Sequence, residues 1–424
     1  MSTSKAFTAF LNNIKVVNSG QINKRFGRIT RQLNNFFYDL DSKNSNSLQV
    51  GSYGRYTGIK DISDLDMLFI LPNECWDTYK ENQSYLLQRV KDKLKENFKS
   101  TNIRGDGQVV VISFGNQDFE VCPVFQKEEG TFKYPDTNNG GKWKKCNPRD
   151  EIESFRELNA TRKGHLRRLA KMMRVWRTHN EIEMSGFLVD TLCYNFFLEN
   201  DDYDDKSYRS YDELIRDFFR FLEDEGEREF YYAFGSNSKI PVKAQFYKKV
   251  RKSREASENA VDEESFNAKM KEWKKIFGRR FPNSDFSKES ASTSEMHIEN
   301  LYEVKEKYQI TIDCKLKDEN LFEKMLSKII GNSEKINKNV QLEFYLEESN
   351  VPHPFVLKWK VKNSGSEALK RNCIRGQIIN DDGSHKILER ADFTGEHYVE
   401  CYAIYQNEVV ARDRIQVPID IKNA

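Results

Sequence analysis

Nowhere in this chain do two cysteines stand in a C-x-x-C pair, and the seven present are odd in number and scattered. Neither a disulfide framework nor a zinc ribbon is expected, and the pattern suits free thiols in a reducing, cytoplasmic setting. No apolar run approaches the roughly 20 residues of a membrane span, and the N-terminus lacks a signal-peptide core. No membrane association is expected. An excess of one charge is missing too, since 68 Lys and Arg stand against 66 Asp and Glu, a formal charge of +2. A polyanion would have to be drawn by local patches rather than by a global field. At 424 residues the chain is long enough for two or three domains and a sizeable core.

What the chain does contain is Gly51-Ser52-Tyr53-Gly54-Arg55-Tyr56-Thr57 followed by Ser63-Asp64-Leu65-Asp66-Met67-Leu68-Phe69-Ile70. Residues two apart on a strand share a face, so Asp64 and Asp66 project together while Leu65 and Met67 face a core. Side by side, two carboxylates repel and call for a cation. Mg²⁺ is the natural guest, because it binds through one or two carboxylates and completes its shell with phosphates and water. Gly51 and Gly54 can take backbone angles that a side chain would forbid, which lets N–H groups approach a phosphate. Ser52 adds a hydroxyl donor, and Arg55 and Thr57 buttress the turn. Alone, the Gly51–Gly54 fragment reads as an ordinary tight turn; with the carboxylate strand after it, the pair outlines a phosphoryl-transfer site.

The order G-S-x-G-R-x-T-x-I-x-x-x-S-D-x-D, from Gly51 to Asp66, resembles the signature of the polymerase-β-like nucleotidyltransferases. Within them it is most similar to the template-independent branch of 2′-5′ oligoadenylate synthetases, cyclic GMP-AMP synthase and the bacterial CD-NTases (SMODS) of CBASS antiphage operons. That resemblance implies a third acid on a later strand, written h-D-h-h-P. Gln117-Asp118-Phe119-Glu120-Val121-Cys122-Pro123 fits the slot, with Glu120 where the family more often has Asp. Asp118 lies on the same strand face, so either could reach the metal, and the distance to Pro123 favours Glu120. The strands around it are read as Val109 to Phe114 and Asp118 to Val124, joined by a turn at Gly115-Asn116. Without a zinc site, the zinc-binding DNA clamp of the animal synthase is not expected.

Helical periodicity runs through Ser4 to Val17 and Gln21 to Leu40, the second by way of Ile22, Phe26, Ile29, Leu33, Phe36, Phe37 and Leu40. The second resembles the family's spine helix. Lys24, Arg25, Arg28 and Arg31 give it a basic side, either a solvated face or a nucleic-acid contact. Between Gly130 and Asp150 the chain is polar, and Asn138-Asn139-Gly140-Gly141 suggests a loop near the cleft. From Asp150 to Phe281 the pattern is largely helical. One helix carries Leu166, Leu169, Met173 and Trp176 on an apolar stripe, with basic residues crowding the other side. It resembles the family helix whose lysine neutralises the donor triphosphate, a role open here to Lys171 or Arg174. Ser185 can cap the next helix while bonding a phosphate. The resemblance also implies a tyrosine stacked on the nucleobase, and Tyr232 is the candidate, although aromatic clusters are more often core.

The stretch Asn283 to Met296 reads as a linker. Beyond it, Tyr308–Leu316, Val340–Leu346, Phe355–Val361, Ile374–Ile379, His397–Tyr405 and Val409–Val417 are short, β-branched or aromatic segments broken by turns, the habit of a β-sandwich. The segments around Trp359, Arg371 to Gly376 and Gly395 to Tyr402 resemble the AGS-C sensor domain, which implies a sensing role. Trp359 and Cys401 read as core. The expected architecture is α+β: a spine helix and catalytic lobe over 1–150, a helical lobe over 151–285, a linker at 286–296, and a mainly β domain over 297–424.

The function these readings imply is two-metal nucleotidyl transfer that joins NTPs, ATP among them, into a cyclic di- or trinucleotide for antiphage signalling. Mg²⁺ or Mn²⁺ would be held by Asp64, Asp66 and Glu120, and nucleotide by Gly51, Ser52, Arg55, Lys171 or Arg174, Ser185 and Tyr232. The product would reach an effector by signalling rather than by binding, and an activating ligand, nucleic acid among the candidates, would act on the synthase. A transferase that modifies RNA or protein would use the same carboxylates. A catalytically silent sensor is the third reading, and the presence of all three acids argues against it.

Overall fold

The computed structural model describes residues 3–16, 19–60, 62–115, 117–206, 210–243, 246–284, 296, 298, 301–304, 308–317, 324–331, 334–363, 365–371 and 373–419. The expected linker, apart from Met296, lies outside the described residues, as do His297 and Asn116 of the expected hairpin turn. The chain divides into two compact units, Met1–Val16 with Arg25–Ser284, and Val17–Lys24 with Asp285–Ala424.

In the first unit, helix α1 (Thr3–Asn13) and helix α2 (Ser19–Tyr38) precede strand β1 (Ser47–Gln49), a single helical turn α3 (Gly51–Gly54) and strand β2 (Asp64–Ile70). Then come α4 (Trp76–Tyr79), α5 (Gln83–Asn97), β3 (Asn102–Asp106), β4 (Val109–Phe114), β5 (Gln117–Gln126), β6 (Phe132–Asp136) and β7 (Lys142–Cys146). The sheet runs in the order β1-β2-β5-β4-β3, and β6 and β7 continue it from β5. Alternation explains its two faces. Leu65, Met67 and Phe69 of β2 and Phe119 and Val121 of β5 are buried on one side, and Asp64, Asp66, Asp118 and Glu120 lie on the other. Helix α5 packs against β3, β4 and β5; Asn82 caps it by accepting from the Tyr85 N–H. The polar stretch after Gly130 forms a hairpin in which β6 and β7 pair from Phe132↔Cys146 to Asp136↔Lys142, with the expected loop at Asn138–Gly141 as its connection. Phe132 is buried, and Trp143 packs on Trp76 and Phe125 at 4.9 and 5.6 Å, so aromatic packing outweighs the charged composition.

The helical lobe comprises α6 (Pro148–Thr161), α7 (His165–His179), α8 (Gly186–Glu199), α9 (Tyr211–Asp224), α10 (Tyr247–Asp262) and α11 (Phe266–Phe277), with a small hairpin of β8 (Phe230–Tyr232) and β9 (Lys239–Pro241). Phe7 and Phe10 of α1 pack against Trp273, Phe277 and Phe281. The basic side of α2 makes contacts within the protein, with Arg28 and Arg31 still exposed. Arg25 donates to the Gln117 side chain and lies over Phe114, Arg28 lies over Phe98, and Arg31 pairs with Asp41.

In the second unit, Lys24 pairs with Asp313 and Glu347, both at 2.9 Å. Its strands are β10 (Glu303–Val304), β11 (Ile310–Lys317), β12 (Lys324–Met325), β13 (Gln341–Ser349), β14 (Val356–Lys362), β15 (Arg375–Asn380), β16 (Lys386–Arg390), β17 (Gly395–Tyr405) and β18 (Glu408–Ile419), with short helices α12 (Leu326–Gly331) and α13 (Ser366–Lys370). They form two sheets, β10-β18-β17-β14-β15 and β12-β11-β13-β16. Between them a core gathers Ile312, Cys314, Phe344, Trp359, Val399 and Cys401. The indole N–H of Trp359 donates to Asp381 at 2.7 Å. Gln406 and Asn407, at φ 50° and 63°, close the tight β17–β18 hairpin.

The buried His165 sets a pH dependence in the first unit. Its Nδ1 stands 2.8 Å from the Tyr211 hydroxyl, and burial, with Arg168 nearby, pushes the imidazole down to about 4. The unfolded chain takes up the proton below about 6.5, so stability present above that pH is lost as pH falls toward 4. By pH 5 the loss is about 2 kcal/mol. Urea unfolding at pH 8 and pH 5 should show His165→Gln losing this part of the pH dependence; an unchanged difference would contradict it.

Candidate active site

Strands β2 and β5 run parallel with Asp64 opposite Asp118 and Asp66 opposite Glu120. Parallel neighbours in register present like faces, so all four acids stand on one side of the sheet. Below them on that face lie Leu68, Cys122, Val124 and Val50, a small apolar floor. Arg104 of β3 reaches Asp118 at 3.5 Å, which leaves Glu120 as the acid beside Asp66 without that cation. Burial pushes the Asp66 carboxyl up, Arg55 draws it down, and Asp64 pushes it up again. Glu120 is pushed up to about 7, by burial first and then by Asp66 and Asp64. Asp64, Asp66 and Glu120 thus crowd one another on this face.

The turn before β2 is shaped by that crowding. Gly51 has φ +61°, and a Cβ there would overlap the Asp66 carboxylate. The Val50 N–H donates to the Asp66 carbonyl at 3.0 Å, and the Arg55 N–H to the Gly51 carbonyl at 3.2 Å. The N–H groups of Thr57 and Gly58 both donate to the Ser52 carbonyl, at 2.9 and 3.0 Å. Gly54 serves differently from the expectation: its φ is ordinary, and its lack of a side chain allows close approach to the Gln49 carbonyl.

Further candidates come from the helical lobe. Ser185 caps α8, its Oγ accepting from the Leu188 N–H at 3.0 Å. Arg174 is buried and donates from Nε and Nη2 to Asp190 at 3.2 and 2.7 Å, and from Nη2 to the Gly186 carbonyl at 2.9 Å. A side chain at Gly186 would overlap that guanidinium. Arg55 also donates to Asp190, at 3.0 Å, and lies over the Phe187 ring at 4.5 Å. The two arginines proposed for phosphate are thus held by one carboxylate. Lys171 lies one turn before Arg174 on α7, partly buried. Tyr232 is exposed, and it lines a cavity of about 670 Å³ with Tyr194, Asn195, Arg228 and Phe234 that includes none of the four acids.

Asp190 went unread in the sequence. It is fully buried and accepts from Thr57 as well, at 2.8 Å. The available signal was an acid inside the otherwise apolar first half of α8, since a charge there demands partners.

Among the described residues, no three acidic, histidine or cysteine side chains yet enclose a point where an ion could sit. The fit to a divalent cation rests on the donor set: oxygen ligands only, on adjoining strands, with Glu120 held up by burial and then by its neighbours' charge.

A sheet that carries such acids beside a Gly-Ser turn, backed by a helical lobe, is the fold of the polymerase-β-like nucleotidyltransferases. Residues 1–159 match the Second Messenger Oligonucleotide or Dinucleotide Synthetase (SMODS) domain, and residues 292–420 the Adenylyl/Guanylyl and SMODS C-terminal sensor (AGS-C) domain. The chain thus carries a SMODS domain, the domain of the CD-NTases, followed by an AGS-C domain. It is 24% identical over 270 residues to a cyclic AMP-AMP-AMP synthase of Acinetobacter, covering 58% of this chain and 75% of that protein. It is 22% identical over 277 residues to a Bacillus cereus protein named as a probable cyclic nucleotide synthase, covering 55% and 82%. Among solved structures, Escherichia coli CdnC in complex with HORMA-deltaN superposes with a TM-score of 0.53 at 12% identity, over 66% of this chain and 98% of that one. At that identity the likeness concerns the fold alone.

The crowding has a measurable cost. A Glu120 carboxyl raised from its usual range destabilises the fold as pH rises through about 7. In EDTA at pH 8, Glu120→Gln should melt roughly 2–4 °C above the wild type, and the gap should close by pH 5. A lower melting temperature at pH 8 would contradict the crowding.

Proposed function

We propose that this chain is a second-messenger synthase that joins NTPs, ATP among them, into a cyclic di- or trinucleotide. The observation that carries the reading is the in-register pairing of Asp66 with Glu120 beside the side-chain-free Gly51. Asp64, Asp66 and Glu120 would hold Mg²⁺ or Mn²⁺, which when bound supplies Lewis-acid activation of a ribose hydroxyl and neutralisation of the leaving pyrophosphate. The remaining work falls to the chain itself. The backbone at Gly51 and Ser52 and the Ser52 hydroxyl grip the triphosphate, and the sheet face orients its α-phosphate toward the attacking hydroxyl. That oxygen bonds to the α-phosphorus as the bond to pyrophosphate breaks; a second such step closes the ring.

From the helical lobe, the cation we assign to the triphosphate is Lys171 or Arg174, the latter held in place by Asp190 and the Gly186 carbonyl. Ser185 sits at the N-terminus of α8, where a phosphate is favoured, and Tyr232 offers an exposed ring for a base. The Acinetobacter relative's name, with three adenylates, supports ATP as a substrate. We assign sensing of the trigger to the AGS-C domain, and antiphage signalling to the product acting on a separate effector. Among the described residues no helix is long and apolar enough to cross a membrane.

Incubation with all four NTPs and Mg²⁺ should release pyrophosphate and give a phosphatase-resistant small product, identifiable by mass spectrometry. Asp64→Asn and Asp66→Asn should each lower the rate roughly a thousandfold or more, about 4 kcal/mol of transition-state stabilisation, with melting temperature unchanged or raised. EDTA should do the same to the wild type. Retained synthesis in folded Asp66→Asn would refute the site, and label in RNA or protein rather than a small product would refute the cyclase.

A further inference from the structure

We propose that Asp190 is a positioning residue for this nucleotidyl transfer, fixing the Gly51–Thr57 turn against helices α7 and α8; the inference rests on the synthase reading above. Its side chain is fully buried. Oδ2 accepts from Thr57 Oγ1 at 2.8 Å, Arg55 Nε at 3.0 Å and Arg174 Nη2 at 2.7 Å, and Oδ1 accepts from Arg174 Nε at 3.2 Å. Thr57 and Arg55 belong to the sheet lobe, and Arg174 and Asp190 to the helical lobe, so one carboxylate joins the two.

The path from Asp190 to the candidate site is short. Thr57 is tied through its own N–H to the Ser52 carbonyl, and Arg55 through its N–H to the Gly51 carbonyl. Gly51 in turn backs onto the Asp66 carboxylate with no space for a side chain. A shift at Asp190 is passed by these bonds to the residues proposed to grip the triphosphate. A misplacement of about 1 Å in a reacting geometry can cost on the order of 100-fold in rate.

Charge gives Asp190 a second task. Two buried guanidiniums share this one carboxylate. Phe187 beneath Arg55 and the bare Gly186 beside Arg174 hold them in place. With Asp190 gone, both guanidiniums lose the carboxylate they share, and Arg174 is left with the Gly186 carbonyl and Arg55 with the Phe187 ring.

Kinetics of pyrophosphate release in the full-length protein test this. Thr57→Val should lower kcat roughly 10- to 100-fold while KM for the NTP moves less than about threefold. Thr57→Ser, which keeps the hydroxyl, should restore most of the rate. Asp190→Asn should lower kcat at least as far as Thr57→Val does. The double variant Asp190→Asn/Thr57→Val should be no slower than Asp190→Asn alone, because both changes break one linkage. Full kcat in Thr57→Val, additive losses in the double variant, or no rescue by Thr57→Ser would overturn the proposal. If Asp190→Asn fails to fold, as a broken buried pair can, the Thr57→Val and Thr57→Ser comparison decides alone. A wild type that releases no pyrophosphate would instead sink the synthase reading.

Discussion

The register between β2 and β5 is the constraint on which the rest depends. Parallel pairing sets Asp66 beside Glu120 and Asp64 beside Asp118, and a slip of one residue would turn both acids of the slipped strand into the core. The apolar residues between them prevent that slip. Leu65, Met67, Phe69, Phe119 and Val121 are buried on the opposite face, each worth roughly 1.5–3 kcal/mol. That burial offsets the repulsion among the acids and holds them where a cation is wanted. Stability and function pull against each other here, as they commonly do at such sites.

Around this face the protein supplies room and countercharge. Gly51 gives the room, since any side chain would meet Asp66. The countercharge comes from Arg55 and Arg174, which act on Asp66 and are themselves secured by Asp190. The full burial of Asp190 strengthens its pairing with both arginines. Cations that the sequence shows in plenty are thus divided between frame and site. Those of α2 support the frame: Arg25, Arg28 and Arg31 meet Gln117, Phe98 and Asp41.

How much of this is legible in the sequence follows from range. Asp64, Asp66 and the Gly51–Thr57 turn lie within sixteen residues, and period-two alternation reveals their shared face. The distance to Pro123 favours Glu120 over Asp118 in the sequence alone, whereas the contact of Asp118 with Arg104 is not legible there, because Arg104 comes from a third strand, β3. Asp190 lies 133 residues from Thr57, and no local pattern joins them. The β6–β7 hairpin was hidden by its lysines, while Trp143 and Phe132 settle it through packing on Trp76 and in the core. In the second unit, strong β-branched strands such as β14, β17 and β18 are plain in the sequence. Strand β16, five residues of mixed charge, forms because β13 lies beside it.

The most direct test of the central claim is anomalous diffraction from crystals grown with Mn²⁺ and a non-hydrolysable ATP analogue. Manganese density should lie between the carboxylates of Asp64, Asp66 and Glu120 and the analogue's phosphates. Manganese bound elsewhere, or a triphosphate seated away from the Gly51–Ser52 turn, would contradict it.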